Sequence, residues 1–318
     1  MKLTEILEEI CIGYNQNEPK SKKLRQYVKE VVDVLSAENA IYSGKRIKVM
    51  ELNENWEYNL DGTTFLQGSY GTNTAIKHRL YDVDADIAFI IENDSIDLNL
   101  RNLIYEKLSA VFQTKYTVEM KKPCITIDFQ DKNKIDVAIY TQIGDKLCFH
   151  NCISGVEKVD IAKPKELVNY FKTCYKENDT RRKVVRLIKH FIKTTSRALE
   201  IDECNKIPSI SINLLLCEHK MHEQAGEEEL YEDVLKGMRH IKQFVDINGY
   251  NGPSCAELCV NNTFYKVKNI DEVKKVLEKI IINLEHKQYN EIIHKDVYDA
   301  ISARNSKKVD SSFTGTMG

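Results

Sequence analysis

Apolar residues recur along this chain with two different periods, and the change between them divides it. Residues 3–12 and the segment Lys20 to Ala40 have helical spacing; in the second, Leu24, Val28, Val31, Val32 and Leu35 form one stripe. The stretch Thr64 to Ile91 reads differently. A short apolar run, Phe65-Leu66, breaks at Gly68-Ser69, and Asp82, Asp84 and Asp86 then alternate into Ile87-Ala88-Phe89-Ile90-Ile91. That closing half predicts a strand entering a buried sheet. Leu98 to Phe112 is helical, and Thr117–Met120, Cys124–Phe129, Lys134–Thr141 and Lys146–Phe149 read as short strands, the middle two joined by the turn Gln130-Asp131-Lys132-Asn133. Ile47 to Leu60 has no clear period, and Asp61-Gly62 marks a turn.

After about residue 160 the spacing is helical throughout. Lys163-Pro164 opens a helix to Tyr175, since proline suits a first helical turn. Arg181–Arg197, Pro208–Glu218, Glu227–Val245 and Asn269–Leu284 follow, and a last helix ends near Ser302. The pattern predicts an α+β lobe over residues 1–160, a helical lobe over 161–303, and a flexible polar tail over 304–318.

Composition narrows the class. A chain of 318 residues with 42% hydrophobic and 30% charged positions supports one large or two ordinary domains. Its net charge of −2 supplies no global attraction to nucleic acid or anionic lipid. No apolar run approaches the roughly 20 residues that span a bilayer, and the glutamates in MKLTEILEEICIG make it an amphipathic helix, not a signal peptide. Nine cysteines without framework spacing predict reduced thiols and a cytoplasmic protein. Neither Cys148-Phe149-His150-Asn151-Cys152 nor Cys255/Cys259 has the spacing of paired zinc ligands, so zinc is not expected.

The acidic strand carries the chemistry. Side chains at i and i+2 leave a strand from one face, so Asp84 and Asp86 project side by side, where like charges repel. A divalent cation makes that placement favourable; Mg²⁺ accepts one or two carboxylates and completes its shell with water and phosphates. Two ions about 3.5–4 Å apart need a further acidic ligand. Asp128 in ITIDF and Asp136 in KIDVAIY are the candidates, and Asp136 is the better one, because Ile135 and Val137 flank it and the apolar run continues. Singly, each carboxylate reads as a solvated strand end or an edge charge. Gly68-Ser69 upstream adds a phosphate-binding turn: glycine lets the backbone approach, amides at a helix start attract anions, and the hydroxyl is one more donor.

The order Gly68-Ser69, Thr74-Ala75-Ile76, Asp84-Ala85-Asp86-Ile87 and Ile135-Asp136-Val137 resembles the polymerase-β-type nucleotidyltransferases. Within them it is similar to the cyclic-oligonucleotide synthases of bacterial anti-phage defence, the CD-NTases or SMODS group, which include the DncV-like cyclic GMP-AMP synthases. The resemblance covers roughly residues 60 to 220. It implies that Asp84, Asp86 and Asp136 are catalytic and bind two Mg²⁺ ions, for which Mn²⁺ can substitute. It also implies that Gly68 and Ser69 hold the donor β- and γ-phosphates. The family's helix lysine and later helix-start serine match Lys189, in Arg186-Leu187-Ile188-Lys189-His190-Phe191, and Ser209, in Pro208-Ser209-Ile210-Ser211. Both would reach the triphosphate. Without the resemblance, Lys189 is a solvated helix charge and Ser209 an N-cap. Asp82 reads as a supporting charge.

The implied activity joins NTPs (ATP or GTP, pyrimidine NTPs included) into a cyclic di- or trinucleotide messenger with release of pyrophosphate, in CBASS signalling. The alternatives are a nucleotidyltransferase that makes linear oligonucleotides or modifies RNA or protein, and a non-catalytic nucleotide-binding module. Arg181, Arg182, Arg186, Lys189, Lys193 and Arg197 recur at helical spacing, but no aromatic residues interleave as stacking platforms, so a nucleic-acid activator is not expected. The end Thr316-Met317-Gly318 would suit covalent conjugation through Gly318 by a ligase-like partner.

Overall fold

The computed structural model describes residues 1–10, 19–36, 64–72, 74–76, 83–153 and 156–313. The stretch 47–60, the turn at Asp61-Gly62, the supporting charge Asp82 and the conjugation candidate Gly318 lie outside the described residues.

Helices α1 (Leu3–Ile10) and α2 (Pro19–Ser36) precede strand β1 (Thr64–Gln67), the single turn α3 (Gly68–Gly71) and strand β2 (Val83–Glu92). Helix α4 (Leu100–Phe112) leads to β3 (Thr117–Met120), β4 (Ile125–Asp128), β5 (Asn133–Ile143), β6 (Lys146–Ile153) and β7 (Val156–Ala162). Helices α5 (Pro164–Glu177), α6 (Asp179–Ala198), α7 (Ser209–Cys217), α8 (Glu227–Asn248), α9 (Ile270–Glu285) and α10 (Lys295–Phe313) complete the chain.

The sheet is mixed and seven-stranded, with the order β1-β2-β5-β4-β3. β2 and β5 run parallel, whereas every other strand pair is antiparallel. β2 follows β5 along residues 133–142, while β4 takes the first half of the opposite edge and β6 the second. Alternation then gives the sheet two unlike faces. On one, Ala85, Ile87, Phe89, Ile135, Val137 and Ile139 pack on Leu24, Val28 and Val31 of α2 and Leu100, Ile104 and Leu108 of α4. The other face carries Asp84, Asp86 and Asp136, and continues as Ala88, Ile90, Ala138 and Tyr140 against Val168 of α5. The carboxylates therefore look toward the helices that follow the sheet.

The helical core is organised around α6. Asn178 caps it by accepting the Arg181 N–H at 2.9 Å. Its buried Val184, Val185, Leu187, Ile188 and Phe191 join apolar residues of α7, α8 and α9 in one cluster.

Four sequence expectations are corrected. The first concerns α1, expected with the α+β lobe: its buried Leu3, Ile6, Leu7 and Ile10 belong to the helical core instead. The second concerns the tail. α10 runs on to Phe313, past the predicted end near Ser302, because Arg304 pairs with Glu8 and Glu9 and Asn305 donates to Glu5 of α1. Those polar ties leave no apolar period to read. The third is an omission, since no strand is expected after Phe149: β7 lies on the sheet's edge, carries alternating charges and leaves Ile161 57% exposed. The fourth concerns the thiols. Cys174 of α5 and Cys217 of α7 form a disulfide, while Cys124, Cys148, Cys204, Cys255 and Cys259 are free. No helix among the described residues is long and apolar enough to cross a membrane.

Candidate active site

Backbone register assembles the site. Asp86 and Asp136 are direct partners across β2 and β5. Gln67 partners Asp86 from β1, and Thr126 partners Asp136 from β4. One row of side chains, Gln67, Asp86, Asp136 and Thr126, thus crosses four strands. Asp84 lies on the same face one row away, beside Lys134, whose other neighbour in that row is Asp128. Asp128 pairs with Lys134 at 3.3 Å. It is the edge charge of the two hairpin candidates, and Asp136 is the one placed next to Asp86.

Gly68 closes on this row. Its φ is +60°, in the left-handed region, and a Cβ there would lie 2.0 Å from Oδ2 of Asp86. Glycine is required for conformation and for space alike. Behind the turn, Thr72 Oγ1 donates to the Gly68 carbonyl at 2.8 Å and the Thr74 N–H donates to the Ser69 carbonyl at 2.8 Å. Thr72 and Thr74 are buried and share a hydroxyl contact of 3.0 Å. Ser69 is the second residue of α3.

The helices supply the opposite wall. Lys189, only 4% exposed, donates from Nζ to the Thr74 carbonyl at 2.9 Å, so the lysine of α6 reaches the glycine turn itself. Ser209 opens α7 and, with Asn213 one turn later and Phe171 of α5, faces Gly68 and Asp86 across a cleft of about 200 Å³. Asn213 is held by Tyr175, whose hydroxyl donates to Oδ1 at 2.8 Å. The basic run of α6 divides in two. Arg181 donates to the carbonyls of Cys174 and His219, and Arg182 to that of Tyr175, so these two tie helices together. Lys189 and Lys193 act on the aspartates.

Charge in this cleft is unbalanced. Burial, then the negative charges of Asp136 and Asp84, push the Asp86 carboxyl up to about 7, against the pull of Lys189. Burial, with the positive charges of Lys193 and Arg186, brings the Lys189 ammonium down to about 7, against the pull of Asp86. Burial likewise lowers the Lys193 ammonium, which Asp84 opposes. The carboxylates share a face without converging: among the described residues, no three acidic, histidine or cysteine side chains already surround one point. Their chemistry nevertheless suits a hard divalent ion, because each is an oxygen donor and Asp86 and Asp136 repel each other where they stand.

Of the residues singled out in the sequence, Gly68, Asp86 and Ser209 line one cleft, Asp136 stands beside Asp86 in the sheet with Asp84 one row away, and Lys189 is buried behind the glycine turn against Thr74. The sequence reading did not single out Gln67, Phe171, Asn213 or Thr126. Thr126 had a usable signal: it alternates with Ile125 and Ile127, and so shares a face with Asp128.

A carboxylate-bearing mixed sheet, a glycine turn packed on its central aspartate and a helical lobe that brings a lysine to the segment after the turn make up a lobe with the nucleotidyltransferase fold. Residues 63–140 match the family model of the cyclic GMP-AMP synthase DncV-like nucleotidyltransferase domain. Over 231 residues it is 23% identical to a cyclic GMP-AMP synthase of Escherichia albertii, a match covering 69% of this chain and 51% of that protein, so the matched stretch spans about half of the relative's length. The fold is shared with the CD-NTase CdnG of Bradyrhizobium diazoefficiens in complex with GTP (TM-score 0.64, 12% identity, 95% of this chain and 98% of the other). It is also shared with the Vibrio cholerae DncV cyclic AMP-GMP synthase bound to a linear intermediate (TM-score 0.62, 14% identity, 93% and 97%).

Proposed function

We propose that this protein is a metal-dependent nucleotidyltransferase that joins NTPs into a cyclic di- or trinucleotide and releases pyrophosphate. The observation that carries the reading is the placement of Asp86 against both Gly68 and Asp136, with Ser209 across the cleft and Lys189 bonded to Thr74 behind the glycine turn. The related CdnG and DncV structures hold GTP and a pppA(3′,5′)pG intermediate. They support NTPs as substrates of this chain.

Asp84, Asp86 and Asp136 would hold two Mg²⁺ ions. When bound, such ions lower the pKa of an attacking hydroxyl and neutralise the leaving pyrophosphate in an in-line displacement. The chain's own residues prepare that step. Gly68 brings its backbone to the phosphates without a side chain in the way. Lys189, already directed at the turn, places a point charge on the triphosphate. Ser209 adds a hydroxyl at the opening of α7, where anions are favoured. With a cation bound beside it, Asp86 would be held as the carboxylate, and a phosphate beside Lys189 would favour its ammonium. The site thus gains its working charges as it fills. A second turn of the same reaction on the linear product closes the ring, and a role in CBASS anti-phage signalling follows from such a product.

Incubation with each labelled NTP and Mg²⁺ or Mn²⁺, followed by phosphatase and mass analysis, tests the reading. A phosphatase-resistant cyclic product is expected. A product that phosphatase degrades to nucleosides and short linear chains would favour a linear-product transferase instead, and NTP binding without turnover would favour a binding module.

A further inference from the structure

Asp136 is held from behind. Thr126 Oγ1 donates to Asp136 Oδ1. Thr126 is 1% exposed, so water does not compete for this bond. β4 lies on the side of β5 away from β2. The hydroxyl therefore anchors one oxygen of Asp136 on the side away from Asp86 and leaves Oδ2 for another partner. Cys124 Sγ, itself buried, sits 3.8 Å from the same hydroxyl. A threonine facing a carboxylate row, among strand neighbours Ile125 and Ile127 that face the apolar layer, is a costly placement for a buried hydroxyl unless the bond is needed.

We infer that Thr126 is the positioning residue for Asp136, fixing the rotamer in which that carboxylate can serve as a metal ligand; the inference rests on the functional reading above. Hydrogen-bonded partners behind a ligand typically change metal affinity about 10- to 100-fold when removed. Valine has threonine's shape without its hydroxyl, and serine keeps the hydroxyl without the methyl group. The two substitutions therefore separate hydrogen bonding from packing.

The test is Mn²⁺ binding to wild type, Thr126→Val and Thr126→Ser in the presence of a non-hydrolysable NTP analogue, read by electron paramagnetic resonance of free Mn²⁺, with thermal melts as a folding control. Thr126→Val is expected to weaken Mn²⁺ binding about 10- to 100-fold and to lower kcat more than it raises the NTP KM, while Thr126→Ser stays within about threefold of wild type. Equal Mn²⁺ affinity in wild type and Thr126→Val would overturn the inference, as would a Thr126→Ser protein as weak as Thr126→Val. Product formation is scored separately. A wild type that binds Mn²⁺ with the expected Thr126 dependence but makes no product overturns the functional reading and leaves the role of Thr126 standing.

Discussion

At Gly68 the site tolerates no side chain. A left-handed residue other than glycine costs roughly 1–2 kcal/mol, and here the added Cβ would also fall 2.0 Å from Asp86 Oδ2. Gly68→Ala must therefore rotate the Asp86 carboxylate out of its row. Displacing a reacting group by about 1 Å can cost on the order of 100-fold in rate, and a loss of that size in kcat is the expected result. Unchanged kcat would mean that Asp86 works from another position. Asp86 also leaves a pH signature in metal-free protein. Its carboxyl is raised from 3.8 to about 7 in the fold, so between those values the folded state binds the extra proton and stability falls as pH rises. Lys189, lowered from 10.5 to about 7, acts in the opposite sense, and stability recovers above neutrality as pH rises toward 10.5. These contributions are read as the difference in melting temperature between wild type and variant at each pH, since His150, lowered by burial, and other groups shape the whole curve as well. Asp86→Asn should lack the fall on the acid side and melt higher at neutral pH; superimposable curves would refute this. Much of the site was legible at this scale because strand alternation converts sequence spacing into a shared face. Asn213 was not, since it is defined by Tyr175 on another helix, and for Thr126 the alternation gave the face but not the partner Asp136 on β5.

Elements were read best where one face is apolar and the other is not. α6 and α9 differ from their predicted spans by at most two residues at either end, because a continuous stripe fills the helical core. β7 was missed because an edge strand of alternating charge buries little, and the true end of α10 because charged contacts to α1, not apolar burial, hold it. The Cys174–Cys217 disulfide was equally hidden: separation of 43 residues says nothing until α5 and α7 are packed together. These are the two helices that wall the cleft, carrying Phe171 on one and Ser209 and Asn213 on the other. Closing a loop of that length contributes about 2–4 kcal/mol. Cys217→Ser, or reduction with dithiothreitol, should lower the melting temperature accordingly. A melt indifferent to reductant would contradict the bond's contribution.

Across the whole molecule, the first and last described helices meet. Glu227 of α8 accepts from the backbone of Leu3 and Thr4, and Arg304 of α10 reaches Glu8, so α1 seals the helical core from outside. Ile6 is fully buried there. Ile6→Ala should cost about 2–5 kcal/mol, as for other large-to-small core changes, measurable by urea titration. A loss below about 0.5 kcal/mol, as at surface positions, would place α1 outside the core. No sequence period could report this closure, because it joins segments almost three hundred residues apart. The same arrangement gives the cleft its two walls, a sheet bearing carboxylates and a helical lobe bearing Ser209, with Lys189 buried behind the glycine turn against Thr74. The most direct test of the account is metal-dependent pyrophosphate release from NTPs by wild type, Asp86→Asn and Asp136→Asn, with circular dichroism to confirm folding. The account predicts release by wild type that requires Mg²⁺ or Mn²⁺ and is abolished in both folded variants. Normal release by either variant would contradict it.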